Sequence, residues 1–449
     1  MTEQHLDLAE RVVTMCDSTA SAEVTVRTGQ HALTRFANSF IHQNVAETVA
    51  TVSLRLSYDG RNASATTTYS PGAQRAELDQ TLRSLVSRTA EAARLRPVDP
   101  EWPGLALPAP TTFTGSFDQG TAEASPGDRA ALVRDFVGAA GDLETAGYCE
   151  TVGQVVAFAN SAGQRVAGQA TWTTLDGVAR TQGADASARR SASSIADLDG
   201  VVLGRRAATR ARSALGAEDI DPGHYEVVLE PSCVADMVFF LAWQGFNGRA
   251  VNEGRSFVRV GEMQFDPRIQ LWDDAADPRT VALPFDDEGT PKRRVDLVRD
   301  GVSVGLAHDL RTAKVAGVSS TGHGIEGGES EGALPCNLLL GTGQHDTDDL
   351  VSQMERGLLV TDLWYTRVLD PRTLVVTGLT RNGVFLVENG EVVRPVANLR
   401  FTQSYVEALG PGQVLGVGSV PEMQRHYMAT YSVPPLRLAS WNFTGGARG

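Results

Sequence analysis

The sequence predicts a mixed α+β protein: an N-terminal α-β-β-β-β-α unit, a middle helix-and-meander segment and a β-rich C-terminal domain. Three observations lead there. Two stretches of helical spacing bracket a run of β-branched segments. A helix, a meander and a further helix follow a connector rich in Pro and Gly. Beyond Asp221-Pro222-Gly223 the chain breaks into short strands separated by Gly and Asp turns.

Residues 5–16 carry Leu6, Leu8, Val12, Val13 and Cys16 in a rough helical stripe. Strands are expected at Glu23 to Arg27, Thr34 to Ile41, Thr48 to Tyr58 and Ala63 to Tyr69, with a hairpin turn at Asp59-Gly60. Leu78, Leu82, Leu85, Val86 and Ala90 restore helical spacing over 74–94. This defines an N-terminal α+β domain, 1–96, followed by a connector, 97–128. The middle segment, 129–222, opens with a helix near 128–141. Strands are expected near 148–159, 164–173 and 177–189, with turns at 160–163 and at Asp176-Gly177, and then a helix over 199–214. The C-terminal domain, 223–449, starts with the strand Tyr225 to Leu229 and an apolar helix, VADMVFFLAWQGF, for which Ser232 is a candidate N-cap.

Composition narrows the function. The chain has 449 residues, enough for two or three domains. It carries 40 basic against 54 acidic side chains, a net charge of −14, which argues against a nucleic-acid partner. The four cysteines are scattered and form no CxxC, so they read as thiols packed in the core rather than a zinc ribbon. The start shows no secretory pattern, and no apolar run reaches the ~20 residues a membrane span needs, so a cytoplasmic location without membrane contact is expected. The eight histidines show no metal-binding spacing on any one helix. Asp286-Asp287-Glu288-Gly289 reads as a structural turn, Asp346 to Asp349 as a helix cap, and the glycine-rich stretch around His323 as a loop able to approach a bound chain.

Six short motifs then occur in order: EGRSFVRVGE (253–262), FDDEGTPKRRVDLVRDGV (285–302), DLRTAKVAGVSSTGHG (309–324), LPCNLLLGTG (334–343), ERGLLVTDL (355–363) and VENGEVVRPVANL (387–399). Together with FANSFIHQNV (36–45) and PPLRL (434–438), they make the chain resemble the TldD/PmbA family. The TldD-like branch of that family carries HExxxH on a helix after a Leu-x-Pro strand end, and a late cysteine. Two histidines and a third ligand hold zinc there, and the glutamate serves as base. Here Leu229 and Pro231 anchor the comparison, but Phe239 replaces the first histidine, Phe240 the glutamate and Gln244 the second histidine. Residues 411–449 hold no cysteine. The resemblance is therefore to the TldE/PmbA branch.

It implies a non-catalytic subunit of a heteromeric zinc metallopeptidase that cleaves small or unfolded peptides, including precursor peptides of modified natural products. No cofactor is expected in this chain. Zinc is expected in a TldD-like partner subunit, and a peptide is the implied substrate. Contacts to substrate or partner are expected in loops 245–262 and 319–333, at Arg255, Ser256, Thr321, Gly322, His323 and Gly324. The alternatives are an active hydrolase with relocated ligands and a peptide-binding module without proteolysis.

Overall fold

The computed structural model describes residues 2–426 and 428–447. The chain is α+β and builds three sheets. The first has the order β3-β2-β1-β4-β5-β6, made of β1 (Ser21–Ala37), β2 (Phe40–Tyr58), β3 (Arg61–Thr68), β4 (Glu144–Asn160), β5 (Arg165–Arg180) and β6 (Asp185–Ala192). Helices α1 (Thr2–Met15) and α2 (Arg75–Leu95) bury Ala9, Val12, Leu82 and Leu85 against Val24, Val26, Val52 and Leu54. Between Arg96 and Asp118 the chain has no regular structure. It then enters the short α3 (Gln119–Ala122) and α4 (Pro126–Ala140), which starts with a Ser125–Asp128 capping box. Helix α5 (Gly200–Ser213) packs on α4 so closely that a Cβ on Gly204 would lie 2.2 Å from the Phe136 carbonyl oxygen.

The N-terminal unit holds three strands rather than the four expected. Glu23 to Arg27 and the start of Thr34 to Ile41 belong to one 17-residue strand, β1. The second expected strand, Thr34 to Ile41, runs through a tight turn instead, while the fourth, Ala63 to Tyr69, is present as β3. Asn38 and Ser39 both have positive φ, 50° and 63°, the conformation a two-residue hairpin demands. Asp176-Gly177 is not a turn but lies inside β5. Gly177 is required there because a Cβ would come 2.4 Å from Phe136 Cζ, and Asp176 is held by Arg189 of the neighbouring strand at 2.6 Å.

The C-terminal half contains β7 (Gly223–Leu229), β8 (Leu271–Asp273), β9 (Val295–Arg299), β10 (Val302–Ser303), β11 (Asn337–Leu340), β12 (Arg356–Val360), β13 (Leu363–Asp370) and β14 (Val375–Thr380). It continues with β15 (Val384–Glu388), β16 (Glu391–Val396), β17 (Leu399–Ser404), β18 (Val414–Val417), β19 (Glu422–His426), β20 (Ala429–Val433) and β21 (Leu436–Gly446). One sheet has the order β10-β9-β8-β11-β20-β19. The other runs β13-β14-β17-β21-β7-β12-β15-β16, with β18 beside β21. Among the described residues six helices join them: α6 (Pro231–Phe240), α7 (Gly248–Asn252), α8 (Leu310–Ala316), α9 (Gly328–Glu331), α10 (Thr347–Ser352) and α11 (Tyr405–Ala408). Helix α6 packs into the largest apolar core, among Leu229, Leu358, Tyr405 and Trp441. Asp346 caps α10 as expected, through a capping box with Asp349. Among the described residues, no helix is long and apolar enough to cross a membrane. All four cysteines are free thiols; Cys149 and Cys233 are buried, Cys16 and Cys336 half-buried.

Candidate functional site

Helix α6 is apolar on almost every face, which marks a helix buried on all sides. Pro231 occupies its first turn, where a missing N–H costs nothing. Ser232 does not cap it. Glu230 holds the cap position, and the Ser232 hydroxyl donates instead to Asp362 Oδ1 at 2.7 Å. After Phe240 the helix widens into a π turn, residues 241–245, in which the Phe246 N–H donates to the Leu241 carbonyl, five residues back. Such turns bring residues five apart toward one face and often mark functional sites. Here the turn covers the stretch where a pair of side chains five apart would face one metal.

The side chains at those positions are committed elsewhere. The Phe239 ring packs at 5.0 Å from Phe240, 5.5 Å from Trp243 and edge-on at 6.3 Å from His426. Phe240 in turn meets Tyr405. Gln244 is half-buried beside them. Neither a phenyl ring nor an indole can ligate zinc, so the residues present do not fit a zinc site. Among the described residues, no three His, Cys, Asp or Glu side chains cluster as metal ligands would.

One acidic group of this helix escaped the sequence reading. Asp236, one turn before Phe239, accepts hydrogen bonds from Thr366 Oγ1 at 2.7 Å and Tyr405 Oη at 3.0 Å. Burial pushes its carboxyl up to about 6. The available signal was a lone Asp in an otherwise apolar helix.

The residues expected to touch substrate or partner divide into two groups. Arg255 is exposed and pairs with Glu253 at 2.7 Å. Ser256 is half-buried, and its hydroxyl donates to the Gly245 carbonyl at 2.8 Å, which ties it to the π turn. Thr321, Gly322, His323 and Gly324 are buried within the chain. His323 Nε2 lies 3.0 Å from Asp273 Oδ1, and its Nδ1 lies 2.8 Å from Thr321 Oγ1. Burial works to raise the Asp273 carboxyl, but His323 and Lys292 outweigh it and hold it below its usual value. The glycines serve close packing. A Cβ on Gly322 would lie 2.5 Å from the Pro291 carbonyl oxygen, and one on Gly324 2.8 Å from Glu288. The two loops are joined where the Asn247 side-chain amide donates to the Glu331 carbonyl at 2.7 Å.

The acidic turn is structural. Asp286 accepts from the backbone N–H groups of Glu288, Thr290 and Gly324, and burial pushes its carboxyl up to about 6. Asp309 caps α8 through a capping box with Thr312. Loop 319–333 and the acidic turn face the first sheet across two clefts of about 150 and 580 Å³, which share Arg27, Asp287 and Ile325 in their walls. Arg27–Asp287 (3.5 Å) and Arg55–Glu329 (2.9 Å) bridge that gap.

Residues 222–445 match the family described as PmbA/TldA metallopeptidase C-terminal domain. A metalloprotease TldD homolog of Haemophilus influenzae is 26% identical over 47% of this chain and 45% of its own length, so the match spans under half of that relative. A metalloprotease PmbA homolog of the same organism is 35% identical over 27% of this chain and 25% of its own length. The crystal structure of TldE from Thermococcus kodakarensis superimposes with a TM-score of 0.85 at 20% identity, covering 98% of this chain and 99% of that one, which shows a shared fold. By this match and these likenesses, the chain belongs to the TldD/PmbA family.

Proposed function

We propose that this chain is the metal-free, TldE-like subunit of a heteromeric zinc metallopeptidase, pairing in the cytoplasm with a TldD-like chain that supplies zinc, base and third ligand. The observation that carries this reading is the aromatic packing of Phe239 and Phe240 beside Gln244 in a π turn. The scaffold is kept, and the side chains that would do chemistry are replaced by ones that fill a core. A fold kept without its chemistry suits assembly, because two related chains can bury matching surfaces about a pseudo-twofold axis. The substrate in this reading is a small or unfolded peptide, a precursor peptide among them, enclosed between the two subunits.

The test is to purify this chain alone and mixed with a TldD-like chain that carries HExxxH. The chain alone should hold far less than one zinc by elemental analysis and should not cleave peptides. The mixture should elute as one species by size-exclusion with light scattering and should cleave them. Stoichiometric zinc in this chain, lost to chelator together with activity, would favour a hydrolase with relocated ligands. A TldD-like chain equally active alone, with no complex at micromolar concentration, would overturn the subunit reading.

A further inference from the structure

Arg425 stands apart from most of the guanidinium groups in this chain. With 54 acidic side chains available, many arginines reach a carboxylate, yet among the described residues none lies within ion-pair distance of Arg425. It projects from β19 with its guanidinium 4.0 Å from the centre of the Trp172 ring on β5. Burial presses its pKa down, and the nearby charge of Glu150 only partly offsets this. Glu150 itself is engaged by His31 at 3.1 Å. A partly desolvated guanidinium with a stacking partner but no counter-ion is an incomplete arrangement, because its planar fork of N–H donors suits a carboxylate or phosphate.

The side chain lines the 150 Å³ cleft between the first sheet and the C-terminal loops. Lys292 lines the same cleft, where its ammonium donates to Asn337 Oδ1 at 3.2 Å. The acids nearby are already committed. Asp273 is taken by His323 and the Asn337 N–H, Asp286 by three backbone N–H groups, and Asp287 by Arg27 and the Glu326 N–H. Phe285, Leu334 and Met428 supply apolar wall. The glycine-loop amides that could cradle a phosphate are spent, since the Gly322 N–H donates to Ser320 and the Gly324 N–H to Asp286.

We propose that this cleft binds a carboxylate of a short peptide, with the fork of Arg425, stacked on Trp172, and the ammonium of Lys292 as its two cationic contacts, and an adjoining apolar side chain against Phe285 and Leu334. The carboxylate chemistry stands on the cleft alone. That the ligand is a peptide rests on the subunit reading above.

Calorimetric titration of this chain alone tests it, with no partner needed. The probes are N-acetyl-Ala-Leu as free acid, the same dipeptide as C-terminal amide, N-acetyl-Glu-Leu-amide, and inorganic phosphate. The free acid should bind at least about tenfold more tightly than its amide, the size expected from charge-assisted hydrogen bonds. Tight binding of the Glu-Leu-amide instead would assign the site to an acidic side chain, and the proposal would still hold. Arg425→Gln should weaken binding at least about tenfold, and Arg425→Lys less. If Arg425→Gln does not fold, Lys292→Gln and the acid-against-amide comparison on the unaltered chain decide. No binding at millimolar peptide, equal affinity for all three peptides, phosphate binding as tightly as the best peptide, or an Arg425→Gln variant of full affinity would overturn the proposal. A negative titration beside an active mixture removes this site alone. A positive one beside an inactive mixture removes the subunit reading alone.

Discussion

Phe239 and Phe240 are 9% and 6% exposed, so each is a packing residue whose replacement is felt by the core. The triple change Phe239→His, Phe240→Glu and Gln244→His restores two ligands and a base in sequence but supplies no third ligand. It also places a carboxylate in an apolar cluster with no prepared partner. Truncating a buried Phe costs about 3–5 kcal/mol, and an unpaired buried acid adds to that. The variant is expected to unfold at markedly lower urea concentration and to show no zinc-dependent peptide cleavage; robust cleavage would mean that the helix has been misaligned. The identities of these three residues were legible in the sequence because the Leu229-x-Pro231 anchor fixes their place. The role of Asp236 was not. Its partners Thr366 and Tyr405 lie 130 and 169 residues further along, and no local pattern announces a hydrogen bond across such a distance. The same holds for Arg425 and Trp172, which meet from different sheets.

At the scale of elements, sequence periodicity located the long helices α1, α2, α4 and α5 well, because an apolar stripe repeating at helical spacing is a local property, whereas the short α3, α7, α8, α9 and α11 went unseen. Strand limits in the first sheet were harder to see. Asn38-Ser39 makes a hairpin turn without the glycine that usually signals one, and Asp176-Gly177 imitates a turn inside a strand because Phe136 demands a residue without Cβ. The π turn has no sequence mark at all; Gly245 beneath the Phe257 ring is its nearest correlate. The close packing of α4, α5 and β5 makes a direct prediction. Gly177→Ala and Gly204→Ala each force a methyl group into Phe136, at 2.4 Å from its ring and 2.2 Å from its carbonyl oxygen. Each should destabilise the protein by about 1–3 kcal/mol, read as a lowered thermal midpoint. Gly216→Ala, where a Cβ meets nothing within 4 Å but φ is +73°, separates backbone strain from this overpacking.

At the scale of the whole molecule, the first sheet and the C-terminal half meet over buried carboxylates. Burial pushes Glu23 up to about 7, against the pull of Arg55, and Asp286 to about 6; Glu288 is raised well above its ordinary value. The unfolded chain releases the Glu23 proton near 4.5, whereas the folded chain holds it to about 7. Stability must therefore fall as pH rises through that window, by up to roughly 3 kcal/mol from this group, and stay reduced above it. Glu23→Gln should flatten the slope between pH 4.5 and 7 in urea unfolding. An unchanged slope would assign the dependence to Asp286 and Glu288 alone.

The place of β21 in its sheet has a consequence for how the polypeptide is made. It lies between β17 and β7, pairing Leu436 with Leu229 and Phe443 with Gly223, over two hundred residues apart. During translation β7 emerges early and must wait, its edge unpaired, until residues beyond 436 leave the ribosome. The first sheet has no such delay, since β1 finds β4 by residue 160. The nascent chain should therefore carry one finished sheet and one open, apolar half for much of its synthesis. In that interval the C-terminal half is exposed to aggregation and dependent on chaperones, and ribosome-stalled chains truncated before residue 436 should be protease-sensitive there while the first sheet resists.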